Sequence, residues 1–440
     1  MARVLLLGAG LVTRPLVRYL LDQPDLEMTI ATRTVSKAEK LIEGHPRGRA
    51  LQLLVDDEQA LSRLVAEHDL AISLLPYTYH VRVAQLCIEH RKQMVTTSYI
   101  SPAMKELDSA ARDAGITILN EIGVDPGIDH MSAMRVIHEV AGRGGKVTSF
   151  SSYCGGLPAP EANTNPWGYK FSWSPRGVLM AGKNDGRFLR DGKTVDIPGS
   201  GLFAHYETVQ VPGAGEFEGY TNRDCLGYID LYGLQGIKDM FRGTLRHPGW
   251  CDSMRALGTF GYLDESRRDD LAGKSFGELA GLLVPSAAGA TDVAGAVAAH
   301  LGLARDAEPI HRMEWLGLFG DDPLPEAPTV LDVLVVRMLE KLSYEKNERD
   351  MLVLHHQFKA EFSDHRESIT STMIDFGVPG GDSSMARTVS LPAAIGTRMI
   401  LEGQITKLGV LAPVYPEIYQ PILAELERLD IVCKEARRVE

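Results

Sequence analysis

Residues 3–7 (RVLLL) form a strand-like apolar run that stops at Gly8-Ala9-Gly10, and residues 13–21 resume with helical spacing, Leu16, Val17, Leu20 and Leu21 falling on one side. A strand that turns through paired glycines into a helix restricts the chain to a layered α/β fold. In that setting the glycines permit a tight turn and let backbone amides approach a pyrophosphate at the helix N-terminus. The expected cofactor contacts here are Gly8, Gly10, Leu11, Val12 and Thr13. The pattern departs from G-x-G-x-x-G at its last position, where Thr13 stands. A plain tight turn in an α/β sheet is the alternative, and the strand–turn–helix context favours a dinucleotide.

The pattern continues for about 130 residues. Strand-like runs at 28–32, 71–75, 94–97 and 117–120 alternate with helical runs at 37–41, 80–89 and 102–114. Such alternation implies βαβ units and a doubly wound parallel sheet of Rossmann type. At the end of the second strand an NAD site would carry an acid for the ribose hydroxyls. This chain has Thr32-Arg33-Thr34 instead. A guanidinium with hydroxyls beside it suits a 2′-phosphate, so NADP is favoured over NAD, with a solvated surface arginine as the alternative. Val55, Asp56 and Leu75 complete the cofactor-binding candidates.

After residue 127 the texture changes. Residues 147–155, 207–211, 351–362 and 368–377 read as strands, the last two joined as a hairpin through Ser363-Asp364-His365-Arg366. Residues 252–348 read as a helical insertion, and 388–403 and 416–429 as closing helices. The expected organisation is a cofactor domain over 1–128 completed by 388–440. A mixed α/β domain over 129–250 and 350–387 serves substrate binding and dimerisation, and 251–349 is a helical insertion.

Chemistry-bearing residues collect at strand ends, where open α/β sheets bind ligands. Ser98 and Tyr99 follow one strand; Asp125 lies in the Asn120–Gly127 stretch after another. Tyr99 and Asp125 either bond a substrate amine and relay protons or cap local turns. His130 reads as a capping or packing histidine. Cys154, beside Gly155-Gly156, either lines a ligand-facing loop or packs in the core. The aromatic run 167–174, with Phe171, forms either a pocket wall or a dimer contact. Arg223, and Arg246 beside Thr244, are candidate receptors for substrate carboxylates, with surface salt bridges as the alternative.

Composition narrows the partners. Acidic side chains outnumber basic ones by 58 to 46, which argues against a nucleic-acid binder. Five scattered cysteines with no C-x-x-C or Cys/His pairing argue against a disulfide framework and a bound metal. The only apolar N-terminal run is four residues long, too short for a signal peptide or membrane span, so a soluble cytoplasmic chain is expected. Residues 251–350 hold 18 acids and 10 bases, residues 1–50 hold five and eight, and residues 151–250 balance at ten each. The excess negative charge is therefore expected away from both ligand sites.

The stretches YCGGLPAPE at 153–161, NPWGYKFSWSPRGV at 165–178 and FRGTLRHPGW at 241–250 resemble the saccharopine reductases, the NADP-dependent, glutamate-forming saccharopine dehydrogenases. Gly409-Val410-Leu411-Ala412-Pro413 and the glycine loop with its Thr-Arg-Thr resemble them too. The resemblance runs from the N-terminus to about 250 and from about 350 to the end. It implies reversible condensation of L-glutamate with 2-aminoadipate 6-semialdehyde to an imine, reduced by NADPH to saccharopine, in a homodimer. It further implies that Arg223 and Arg246 hold carboxylates, with Lys170 and Arg176 as weaker candidates. Ser98, Tyr99, Asp125, Cys154, Phe171 and Thr244 then line the substrate pocket, and Tyr99, Asp125 and Cys154 make modest catalytic contributions. A carboxynorspermidine-type dehydrogenase is the nearest rival, and a non-catalytic NADP-responsive regulator is a rival of another class. A diamine substrate would want acidic partners where this chain has arginines.

Overall fold

The structure, a computed structural model, describes all residues from Met1 to Glu440. The chain divides into two compact units, Met1–Val147 with Ala360–Glu440, and Thr148–Lys359.

In the first unit, β1 (Ala2–Leu7), α1 (Arg14–Asp22), β2 (Leu26–Thr32), α2 (Val35–Ile42), β3 (Gly48–Gln52), α3 (Glu58–Glu67), β4 (Leu70–Ser73), α4 (His80–Glu89), β5 (Gln93–Thr96), α5 (Pro102–Lys105), α6 (Asp108–Ala114), β6 (Thr117–Leu119) and α7 (Ile128–Gly142) follow in order. The sheet is wholly parallel, in the order Gly409–Leu411, β6, β5, β4, β1, β2, β3. Residues Val4–Leu7 are all fully buried, which explains a continuous apolar run in place of alternation: a central parallel strand is covered on both faces. Leu5 and Leu7 join a core with Leu61 and Val65 of α3 and Val83 and Ala84 of α4. Strand order reverses between β1 and β4, the switch point at which doubly wound sheets open for ligands.

The C-terminal part completes this unit. The helix Ser384–Leu401 packs on α1, and Pro416–Arg428 packs on α7. Arg135 of α7 bonds Glu435, Glu427 and the Cys433 carbonyl at 2.8–2.9 Å. The strand Lys434–Val439 pairs antiparallel with Arg366–Phe376.

In the second unit the sheet runs Tyr206–Val211, Gly215–Thr221, Asp239–Arg246, Lys146–Pro158, Asp350–Glu361. Asp239–Arg246 is antiparallel to Gly215–Thr221 and parallel to Lys146–Pro158. Five helices (Trp250–Phe260, Phe276–Leu283, Val293–His300, Glu308–Leu316, Val330–Lys341) share a single core with Trp167, Tyr169 and Phe171.

Several elements differ from the sequence reading. The helix expected over 102–114 is interrupted between Lys105 and Asp108. Strands at Gly48–Gln52, Gly215–Thr221, Asp239–Arg246 and Lys434–Val439 were not expected. Lys434–Val439 (KEARRV) is largely exposed, and its charges suit an edge strand, where they discourage pairing with other chains. Asp239–Arg246 hides its pattern by burying two arginines, Arg242 and Arg246. No helix is long and apolar enough to cross a membrane.

Leu5 and Leu408 belong to the same unit but differ in burial, Leu5 being fully covered and Leu408 41% exposed. Leu5→Ala should cost roughly 2–5 kcal/mol and Leu408→Ala no more than about 0.5 kcal/mol, read as shifts in the urea midpoint.

Candidate functional site

The cofactor candidates of the first unit lie at the C-terminal ends of its strands. Gly8 ends β1 at φ +108°, and a Cβ there would sit 2.9 Å from the Leu74 carbonyl oxygen after β4. Both conformation and space therefore demand glycine. The Gly8 amide donates to the Ala31 carbonyl at 3.0 Å, tying the loop to β2. Gly10 and Leu11 are exposed and Val12 half-buried, so this loop presents backbone to solvent just before α1. Thr13, which replaces the third glycine, is fully buried, and its hydroxyl has no hydrogen-bond partner within the chain. The first turn of α1 carries no acidic side chain to repel an anion.

Thr32 closes β2, and Arg33 and Thr34 stand exposed before α2. The Arg33 carbonyl receives the Gln52 side chain at 3.4 Å, while its guanidinium is in no ion pair. Val55 and Asp56 follow β3, and the Tyr79 hydroxyl donates to Asp56 at 3.3 Å. Leu75 follows β4, half-buried. A glycine cradle against Leu74, an orphaned buried hydroxyl at Thr13 and an uncommitted arginine fit a 2′-phosphorylated dinucleotide.

Ser98 and Tyr99 follow β5 in the same unit, and the Tyr99 hydroxyl donates to Asp125 at 2.9 Å. Sequence reasoning missed the supports of this pair. Glu121, at φ +55°, accepts the Ile100 amide at 2.8 Å and donates its own amide to the Ser98 carbonyl at 3.1 Å. Its other carboxylate oxygen lies 2.7 Å from Nε2 of the fully buried His130. Glu121 joins the two loops that carry Tyr99 and Asp125, and His130 of α7 packs against its carboxylate. Gly127, at φ +149°, closes the second loop so tightly that a Cβ would lie 2.0 Å from the Gly123 oxygen. A buried histidine, His80, contacts Ser98. Its only sequence signal was a histidine opening a helix just after an apolar strand.

In the second unit, Cys154 and Thr244 are register partners on neighbouring parallel strands, both half-buried. Arg246 lies two residues past Thr244, hence on the same face of the sheet. It is 5% exposed, its guanidinium 4.9 Å from the Tyr169 ring centroid and 5.5 Å from that of Trp250. Nη1 donates to the Leu245 carbonyl at 2.7 Å, Nε has no partner, and no carboxylate pairs with it. Burial pulls its pKa down, but the Tyr220 and Tyr169 phenols and the Cys154 and Cys251 thiols raise it above the ordinary value. Phe171 packs edge-on against Tyr169 at 5.2 Å. This set holds Cys154, Phe171, Thr244 and Arg246 around one buried cation.

Arg223 stands apart from that cation. The neighbouring Asn222 amide donates to the Arg242 carbonyl at 3.0 Å, so the Arg223 backbone lies about five residues, roughly 16 Å, from Arg246 along the strand. The weaker carboxylate candidates already have carboxylate partners within the chain. Lys170 is held by both oxygens of Glu348 at 2.7 and 2.6 Å, and Arg176 by Asp332 and Glu265. Their charges are already matched within the chain.

Comparison with known proteins identifies the family. The family model for the saccharopine dehydrogenase NADP binding domain matches residues 4–119, and that for the saccharopine dehydrogenase C-terminal domain matches residues 123–431. The Saccharomyces cerevisiae saccharopine dehydrogenase [NADP(+), L-glutamate-forming] is 42% identical over 441 residues, covering 98% of each chain. The Schizosaccharomyces pombe protein of the same name is 40% identical over all of this chain and 98% of its own. The bovine mitochondrial alpha-aminoadipic semialdehyde synthase is 38% identical over 97% of this chain but only 46% of its own length. The solved structure of the apo histidine-tagged S. cerevisiae saccharopine dehydrogenase (L-Glu forming) superposes with a TM-score of 0.90 at 39% identity, over the whole of both chains. With both family models matched and near-complete coverage of relatives above 30% identity, the chain belongs to the saccharopine dehydrogenase family.

Proposed function

We propose that this protein is an NADP-dependent oxidoreductase of lysine metabolism that interconverts saccharopine with L-glutamate and 2-aminoadipate 6-semialdehyde. The observation that carries the reading is Arg246, a buried guanidinium with no carboxylate of its own. Leaving a charge buried and unmatched is costly, so the site calls for an anionic ligand. Saccharopine carries three carboxylates, and Arg223, set apart along the strand, is suited to a second one. A diamine substrate would place a cation where this site already has one, which disfavours the carboxynorspermidine-type rival.

Bound NADP supplies hydride exchange with the substrate carbon next to nitrogen, so that the C–N bond passes through an imine, which water hydrolyses to the amino acid and the aldehyde. The chain's own residues hold the substrate and manage protons. Arg223 and Arg246 bind carboxylates. Tyr99, hydrogen-bonded to Asp125, exchanges a proton with the substrate nitrogen, and Cys154, Phe171, Thr244 and Ser98 line the substrate. An imine is already a good hydride acceptor, so placement of the substrate is the larger contribution.

Within this reading, 1–128 with 388–440 serve the cofactor, 129–250 with 350–387 serve substrate binding and dimerisation, and 251–349 form the helical insertion. A homodimer in the cytoplasm completes it. Five cysteines that form no disulfide with one another support a reducing compartment, and sedimentation of the purified protein reads the assembly state.

Purified protein with saccharopine and NADP⁺ should produce the absorbance of reduced nicotinamide. Absence of turnover with saccharopine overturns the reading, and turnover with a polyamine–aldehyde pair replaces it. Arg33→Ala should weaken NADP⁺ at least about tenfold, the equivalent of one charge-assisted hydrogen bond, and leave NAD⁺ unchanged in parallel titrations. Arg246→Gln should raise the KM for saccharopine at least about 30-fold, whereas Cys154→Ala should lower kcat less than about tenfold. A dominant loss at Cys154 in steady-state kinetics would count against the assignment of roles.

A further inference from the structure

Ser73 ends β4 and Ser98 follows the neighbouring β5, whose strands pair with Ser73 opposite Thr96. Between them stands His80, the first residue of α4 and 4% exposed. Its Nδ1 lies 2.8 Å from the Ser73 hydroxyl, and its Nε2 lies 2.7 Å from the Ser98 hydroxyl and 3.5 Å from that of Thr96. No carboxylate touches the ring, and burial pushes its pKa down to about 4. At neutral pH the imidazole therefore carries one N–H and one lone pair. It donates to one serine and accepts from the other, and in either tautomer the Ser98 hydroxyl loses its freedom to rotate. The Ser73 hydroxyl is fully buried, so the ring is anchored at the end away from Ser98. The backbone of Ser98 is held independently through its carbonyl by the Glu121 amide.

We propose that His80 is a positioning residue of the reaction, a buried neutral imidazole that is anchored on Ser73 and orients the Ser98 hydroxyl toward a polar group of the substrate. The proposal rests on the reading above, in which Ser98 touches saccharopine. The ring's two nitrogens can be separated by substitution. Asparagine keeps a polar group near the Nδ1 position and so retains Ser73, whereas glutamine keeps one near Nε2 and so retains Ser98.

The test uses the full-length protein, with saccharopine and NADP⁺ in steady-state kinetics and thermal melting on the same samples. His80→Asn should raise the KM for saccharopine about tenfold, with kcat and the KM for NADP⁺ within about twofold, because one ground-state interaction is lost. His80→Gln should hold that KM within about threefold yet melt at a lower temperature than His80→Asn, since it leaves the buried Ser73 hydroxyl unpaired. Opposite ordering of kinetics and melting supports positioning. Kinetics that simply follow melting, or equal KM values in the two variants, overturn it. In a Ser98→Ala background His80→Asn should add no further rise in KM, and an additive rise overturns the proposal. Should the histidine variants fail to fold, Ser73→Ala frees the anchored end of the ring: a KM raised a few-fold supports the proposal, and an unchanged KM overturns it. Failure of the unaltered protein to turn over saccharopine overturns the functional reading and the proposal together. Turnover with variants that do not separate overturns the proposal alone.

Discussion

At Gly8 the backbone leaving β1 passes so close to the Leu74 carbonyl that no side chain fits between them, and the first unit is arranged around that approach. The two strands involved, β1 and β4, are those between which the order of the sheet reverses. Successive connections leave in opposite directions from this seam, so the loops after both strands part and leave backbone exposed. The glycine loop opens there, and each further strand end adds a candidate group, Thr32 and Arg33 after β2, Leu75 after β4, Ser98 and Tyr99 after β5. A side chain at position 8 would displace Leu74 and, through it, the β4 end on which Leu75 stands.

The later loops are held by polar groups rather than by close packing. Glu121 adopts a left-handed conformation that costs a non-glycine residue of order 1 kcal/mol or more. Three interactions return from it: the Ile100 amide, the Ser98 carbonyl and the buried His130. These lock the segment that carries Tyr99 against the one that carries Asp125. A strained backbone and buried polar contacts gathered behind two candidate functional side chains are what a preorganised site requires, since groups free to reorient would lose their placement.

The legibility of these features follows from their range. The β1–α1 turn and Arg33 were readable because they depend on neighbours within a few residues. Alternation of strands and helices was readable for the same reason, as each element buries its own apolar face. The strand Asp239–Arg246 was not, because its inward side chains include arginines whose burial makes sense only against Tyr169, Trp250 and Tyr228 from elsewhere in the unit. The contacts of Glu121, His130 and His80 were not legible because their partners lie on other strands, helices or loops. Arg246 was readable as an arginine beside polar donors and again through the resemblance, but only its surroundings distinguish it from Lys170 or Arg176.

That distinction alters the meaning of the acidic segment 251–350. By sequence its excess of carboxylates is expected away from the ligand sites. In the second unit those carboxylates are instead bound to cations: Glu348 to Lys170, Glu265 and Asp332 to Arg176, Glu265 to Lys183, Glu308 to Arg312, and Asp322 and Glu340 to Arg337. Three of these cations, Lys170, Arg312 and Arg337, are themselves buried. Arg246 is buried to the same degree and receives no carboxylate, only aromatic faces and a backbone carbonyl. A segment rich enough in acid to match its neighbours leaves this one guanidinium unmatched. Rings that stabilise a cation through their faces offer it no competing anion, so the charge stays available to a carboxylate that arrives from solution.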